Sequence, residues 1–181
     1  MSKTFLRSLS ASTLLLVGYH ILMPYSVLHA ARTVQTVGLQ QTSDEFLKKW
    51  LEQDVVYIST DEEKASFKRL TTDDERYQFI ESFWLRRDPS PDTIENETRD
   101  EHYRRIAYAN ERYSAAEPGW RTDRGCIYIT LGAPDQIEAH PSGDGKSAPF
   151  EIWIYRAGSG PNATSERTLE FGGTDYKLRE R

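Results

Sequence analysis

This sequence has little with which to cross-link itself or ligate a metal. Of its 181 residues only one is cysteine and two are methionine. A lone Cys126 cannot close an intrachain disulfide, so the fold must rest on an apolar core, which a chain of this length can bury. There is no Gly-x-Ser-x-Gly, no His-Glu-x-x-His and no Walker or Rossmann glycine pattern. The usual signatures of serine hydrolases, zinc proteases and nucleotide binders are therefore missing. No basic tract occurs and the net charge is −5, which excludes generic nucleic-acid binding by phosphate neutralisation. What is present is 38 % apolar, 28 % charged and 12 % aromatic residues, the composition of a globular domain rather than a disordered one.

Charge is also missing locally. After Lys3 and Arg7, no Asp, Glu, Lys or Arg appears from Ser8 to Ala31, and Leu14 to Met23 form an apolar centre. A basic start, a short apolar core and small residues near Ala30 and Ala31 predict a secretory signal over residues 1–30. The alternative is an uncleaved anchor, the one route by which this chain would contact a membrane. With no cysteine in this segment, a lipoprotein anchor is excluded. Export to a periplasmic or extracellular location is the expectation, followed by a polar leader, 31–42, and one domain, 43–181.

Within that domain, helix-start signals come first. Thr42 with Glu45, Thr60 with Glu63 and Thr72 with Glu75 have capping-box spacing. Phe46, Leu47, Trp50 and Leu51, then Tyr77, Ile80, Phe83 and Trp84, recur at helical intervals. "DPSPDT" (88–93) stops the third helix, and Asp92 or Thr93 is placed to cap a longer one whose first half is polar. After Pro118 the texture becomes β-rich. "CIYITLG", "FEIWIYR", "RTLEFGG" and "DYKLRE" predict three or four antiparallel strands, with "APDQIEAHPSGDGKSAP" as a loop. Alternation puts Ile127, Ile129 and Leu131 with Phe150, Ile152 and Ile154 against the helices, and Tyr128, Trp153 and Tyr155 on the opposite face. The expected fold is α+β: short N-terminal helices and one longer helix packed on a C-terminal meander.

"FWLRRDPSPDTIENE", "HYRRIAYANERY" and "GWRTDRGCIYITLGAPDQIE" resemble, in order and spacing, the GWxTD-domain proteins, a family of bacterial exported proteins. Their signature reads here Gly119-Trp120-Arg121-Thr122-Asp123, and the likeness runs from about Ser43 to Arg156. It implies an exported α+β domain and no particular reaction. "LGAPD", "WIYR" and "TLEF" also resemble the sheet of the small lipoproteins of the outer-membrane β-barrel assembly machine, which have a helix before their Leu-Gly-x-Pro.

Four sets of residues carry candidate chemistry. Glu97 and Glu101 share a helix face beside His102 and could hold a divalent cation, or solvate that face with Glu101 paired to Arg105. Asp88, Asp123 and His102 could serve as acid and base, with Asp135 a further carboxylate, or the three Asp could cap turns. Trp120, Tyr128, Trp153 and Tyr155, with Arg124, would offer an aromatic partner or glycan surface if one sheet face is open. Arg86, Arg87, Arg104, Arg105 and Arg124 could bind an anion, or form ion pairs with Asp88, Glu101 and Asp123. Gly119, Trp120, Thr122, Asp123, Gly132 and Pro134 read as corner residues joining helices to sheet. Two functions follow. One is a non-enzymatic envelope module, without cofactor, that binds a protein or glycan. The other is a metal-dependent or acid–base hydrolase using Asp88, Glu97, Glu101, His102 and Asp123.

Overall fold

The computed structural model describes residues 43–141, 148–158 and 165–179, all in one compact unit, Thr42–Arg181. The expectations for residues 1–30, for the leader 31–42 and for a Thr42 cap lie outside the described residues. Helix α1 (43–49) runs into a π-helical turn, Trp50–Asp54. It is followed by α2 (Asp61–Arg69), α3 (Asp73–Leu85) and α4 (Glu97–Tyr113). A 3-10 turn, Gly119–Arg121, leads into α5 (Asp123–Leu131). Strands β1 (Gln136–His140), β2 (Phe150–Tyr155), β3 (Arg167–Gly172) and β4 (Lys177–Arg179) form one antiparallel sheet in chain order. None of the described helices is long and apolar enough to cross a membrane.

The two capping boxes that fall among these residues form as their spacing predicts. Thr60 accepts from Glu63 N–H and Thr72 from Glu75 N–H, and each Glu returns the bond to the cap's own N–H. Leu47, Trp50, Val55, Phe67, Phe83 and Trp84 bury together as a helical core of ring against ring. A second core gathers Ala109, Tyr113, Ile129, Trp153, Tyr155 and Phe171 from α4, α5 and the sheet. Helix α4 serves both: the rings of His102 and Tyr103 lie against Trp84, and Ala109 and Tyr113 lie in the second core. His102 was expected on a polar, projecting half of α4 and is instead buried. The cap of α4 is Asn96, whose Oδ1 accepts from Arg99 N–H, not Asp92 or Thr93. The Thr93 hydroxyl donates to carbonyls within its own loop.

The expected strand "CIYITLG" is helix α5. Its β-branched residues cost helix propensity, but only up to about 0.7 kcal/mol each, which packing overrides. Gly125 and Ile129, both buried, are four apart and lie on one face toward the core. The period of two read from Ile127, Ile129 and Leu131 was one of two periods that fit so short an apolar run. A helix, not a strand, thus leads into Gly132-Ala133-Pro134. The first strand lies instead inside the segment expected to be a loop, at Gln136–His140.

The sheet also faces the opposite way. Ile137, Trp153 and Leu169 are directly opposed across three strands, as are Ala139, Glu151 and Phe171. Trp153 and Phe171 are fully buried against the helices. Phe150, Ile152 and Ile154 therefore lie on the outer face, half-buried among Gln136, Glu138, Thr168 and Glu170.

Candidate functional site

The signature segment builds a corner from backbone outward. A Cβ on Gly119 would lie 1.9 Å from the Ala109 carbonyl oxygen, and one on Gly125 would lie 1.8 Å from the Gly119 oxygen. Helix α4, the 3-10 turn and the start of α5 thus meet main chain to main chain, a spacing only glycine permits. Thr122, buried between them, donates its hydroxyl hydrogen to Gly119 O at 2.8 Å and accepts from Gly125 N–H at 3.0 Å. Asp123 accepts the outward N–H of Leu178 on β4 at 2.7 Å, and Lys177 lies 3.7 Å away. Trp120 is only half-buried. Its N–H donates to Asn110 Oδ1, its carbonyl accepts from the Tyr57 hydroxyl, and the Arg121 guanidinium lies 4.9 Å from its ring centre.

At the other end of α5, Gly132 has φ of +87° and accepts from the Tyr155 hydroxyl at 3.0 Å. Beyond Pro134, Asp135 receives the Arg156 N–H at 2.7 Å and donates its own N–H to Ile154 O at 2.9 Å. Arg124 ties α5 to the sheet. It meets Glu151 at 3.0 Å and lies 4.0 Å from the Tyr176 ring centre and 5.0 Å from that of Tyr113. Glu151 also accepts from the Trp153 indole N–H. The open aromatic face expected from alternation is therefore absent among the described residues. Trp153 and Tyr155 lie in the sheet core, and Tyr128, on α5, stacks on Tyr108 at 4.4 Å.

Glu97, Glu101 and His102 line a groove of about 650 Å³ with Arg87, Arg104 and Arg105. Glu101 pairs with Arg105 at 2.7 Å and with Arg104. His102 Nε2 lies 2.6 Å from the Asp54 carbonyl, which can only accept, so this nitrogen carries the proton. Burial lowers the pKa of the imidazole, leaving it neutral near pH 7. Arg87 has its guanidinium 3.6 Å above the Phe83 ring and pairs with Glu63 at 2.8 Å, and Arg86 reaches the same carboxylate. Burial would raise the Glu63 carboxyl, but hydrogen bonds from Arg87, the Thr60 N–H and Arg86 overturn this and bring it down to about 2. Of the expected lattice of Asp88, Glu101 and Asp123, Glu101 pairs with Arg104 and Arg105, while Arg86 and Arg87 are held by Glu63 and Arg124 by Glu151.

The acid–base set does not come together as one site. Asp88 accepts from Ser90 N–H at 2.9 Å in its own turn, Asp123 holds the β4 edge, and His102 is committed to Asp54. Asp88 lines a different groove from that of Glu97 and Glu101. Among the described residues no group of three His, Cys, Asp or Glu side chains is placed to hold a metal ion. Cys126 lies on α5, half-buried, and burial raises its thiol pKa. The residues that sequence reasoning missed are partners: Glu63, Asn96, Asn110 and Glu151. Glu63 carried a signal, as the fourth residue of a capping box, but nothing local marks its bond to arginines 23 and 24 positions away.

The family model described as the GWxTD domain matches residues 25–180. No curated protein and no solved structure matches.

Proposed function

The chain belongs to the GWxTD-domain family, and from that premise we propose that it is an exported, non-enzymatic binding or scaffolding module of a bacterial envelope. The observation that carries this reading is where the chemistry-bearing side chains spend their bonds. His102, Asp88 and Asp123 each hold the protein's own backbone, and Glu101 and Glu151 are matched to arginines. A hydrolase needs a base and a second group within reach of one substrate atom, and Asp88 and Asp123 are engaged with their own turn and the β4 edge rather than with His102. The uncharged segment from Ser8 to Ala31 supports export. With Trp153 and Tyr155 in the core, the aromatic platform a glycan would stack on is gone, which favours a protein partner.

The test is to express the full chain with a C-terminal tag in a bacterial host. Cytosol, periplasm and membranes are separated, and the tagged protein is crosslinked in place. Processing near residue 30, recovery outside the cytosol and a discrete crosslinked species are expected. An unprocessed cytosolic product, or a hydrolytic activity abolished by Glu101→Gln, would overturn the reading.

A further inference from the structure

The two edges of the sheet are treated differently. β4 is three residues long and carries Lys177 and Arg179, and the outward N–H of Leu178 is occupied by the Asp123 carboxylate. Short length, charge and a plugged donor are the devices by which a sheet refuses a further strand. β1 is longer and, among the described residues, has no plugged donor. It runs five residues, Gln136–His140, with no proline, lysine or arginine, and among the described residues its only sheet neighbour is β2. Ile137 faces the helix side with Trp153, yet it remains 49 % exposed. The next residue, Glu138, is the one acidic charge on the strand and lies on the outer face opposite Ile152.

We propose that β1 is an acceptor edge for an extended segment of a partner protein, in which a lysine or arginine opposite Glu138 is flanked by apolar residues opposite Ile137 and Ala139. The inference rests on the binding-module reading above. Added strands gain affinity from main-chain bonds and specificity from alternate side chains. Residues directly opposite share a face, so the flanking apolar residues would cover the exposed part of Ile137, and the basic residue would meet Glu138. A second copy of this chain is the poorer occupant. Two β1 strands paired antiparallel in full overlap set Glu138 against Glu138, and like charges directly opposite are unfavourable.

The test uses the full chain and two synthetic peptides of alternating Thr and Val, one with Lys at its centre and one with Glu. Hydrogen exchange at the β1 amides and the affinity of each peptide are measured for wild type, Glu138→Lys and Ile137→Lys, with thermal melts to show that each variant folds. Wild type is expected to protect β1 with the Lys peptide and to bind it roughly tenfold more tightly than the Glu peptide, with the order reversed in Glu138→Lys. In Ile137→Lys, a folded protein with a charge placed on the edge should lose binding of the Lys peptide. No β1 protection, equal affinity for both peptides, or a concentration-dependent dimer that protects β1 without peptide would each overturn the inference. If Ile137→Lys captures the same crosslinked species as wild type in cells, the edge inference falls and the binding module stands. If neither protein captures anything, the module reading itself falls.

Discussion

The two cores of this protein are built by different means. The helical core is local: two capping boxes start consecutive helices, and Trp50, Phe67, Phe83 and Trp84 fill the space between them within 35 positions of the chain. The sheet core is remote. Ala109 and Tyr113 meet Phe171 and Trp153 only because a glycine corner folds α5 back on α4 and a hinge at Gly132 turns the chain into the sheet. Local construction spreads its stability over many modest contributions. Remote construction concentrates it in a few positions that allow no substitute.

Substitutions can break this contrast in order of size. Trp153→Ala removes the largest fully buried ring of the sheet core and should cost about 4 kcal/mol, read from the urea midpoint. Gly119→Ala adds one methyl where a backbone oxygen stands, and since main chain cannot step aside it should cost about 3 kcal/mol. The same substitution on a glycine with nothing near it, Gly158→Ala, is the control for an added methyl; its φ of +85° still carries strain but no collision. Trp120→Ala should cost less, about 2 kcal/mol, because the ring is half-exposed and the corner is held by the main chain on either side of it. A Trp120→Ala loss equal to that of Trp153→Ala would move the weight of the corner from the glycine to the ring.

The helical core has a pH signature. The folded Glu63 carboxyl is depressed to about 2 from a starting value near 4.5, so its contribution is present above the unfolded value. It is lost as pH falls from about 4.5 toward 2. A drop of about two and a half units is worth about 3 kcal/mol, and solvent at Arg86, half-exposed, reduces that to about 2 kcal/mol. Glu63→Gln should remove this acid dependence, as read by melts between pH 6 and pH 2, whereas Trp153→Ala, which keeps Glu63, should retain the wild-type slope.

How much was legible in the sequence follows the same division. The starts of α2 and α3 were readable because capping is a conversation between residues three apart. Helix α5 was not, because isoleucines two apart satisfy a strand and a helix alike, and its cap Thr122 was read as part of a turn. The orientation of the sheet was lost for a related reason. Phe150, Ile152 and Ile154 are as apolar as Trp153 and Tyr155, so alternation alone cannot say which face is dry. Thr122, Asp123 and Gly132 read as corner residues from turn chemistry, and the structure puts them at the two ends of α5; Glu63 and Glu151, the carboxylates that neutralise Arg87 and Arg124, belong to distances no local pattern encodes.

Side-chain bonds to carbonyl oxygens tie α4 and the signature corner to the helical core. Asn96 Nδ2 donates to Trp84 O at 2.9 Å, His102 Nε2 to Asp54 O at 2.6 Å, and the Tyr57 hydroxyl to Trp120 O at 3.0 Å. Apolar contact has no direction, and two greasy bodies can slip past one another at small cost. A carbonyl oxygen accepts only over a narrow range of distance and angle. The halves are therefore indexed as dowels index a joint: what these side chains contribute is alignment rather than adhesion.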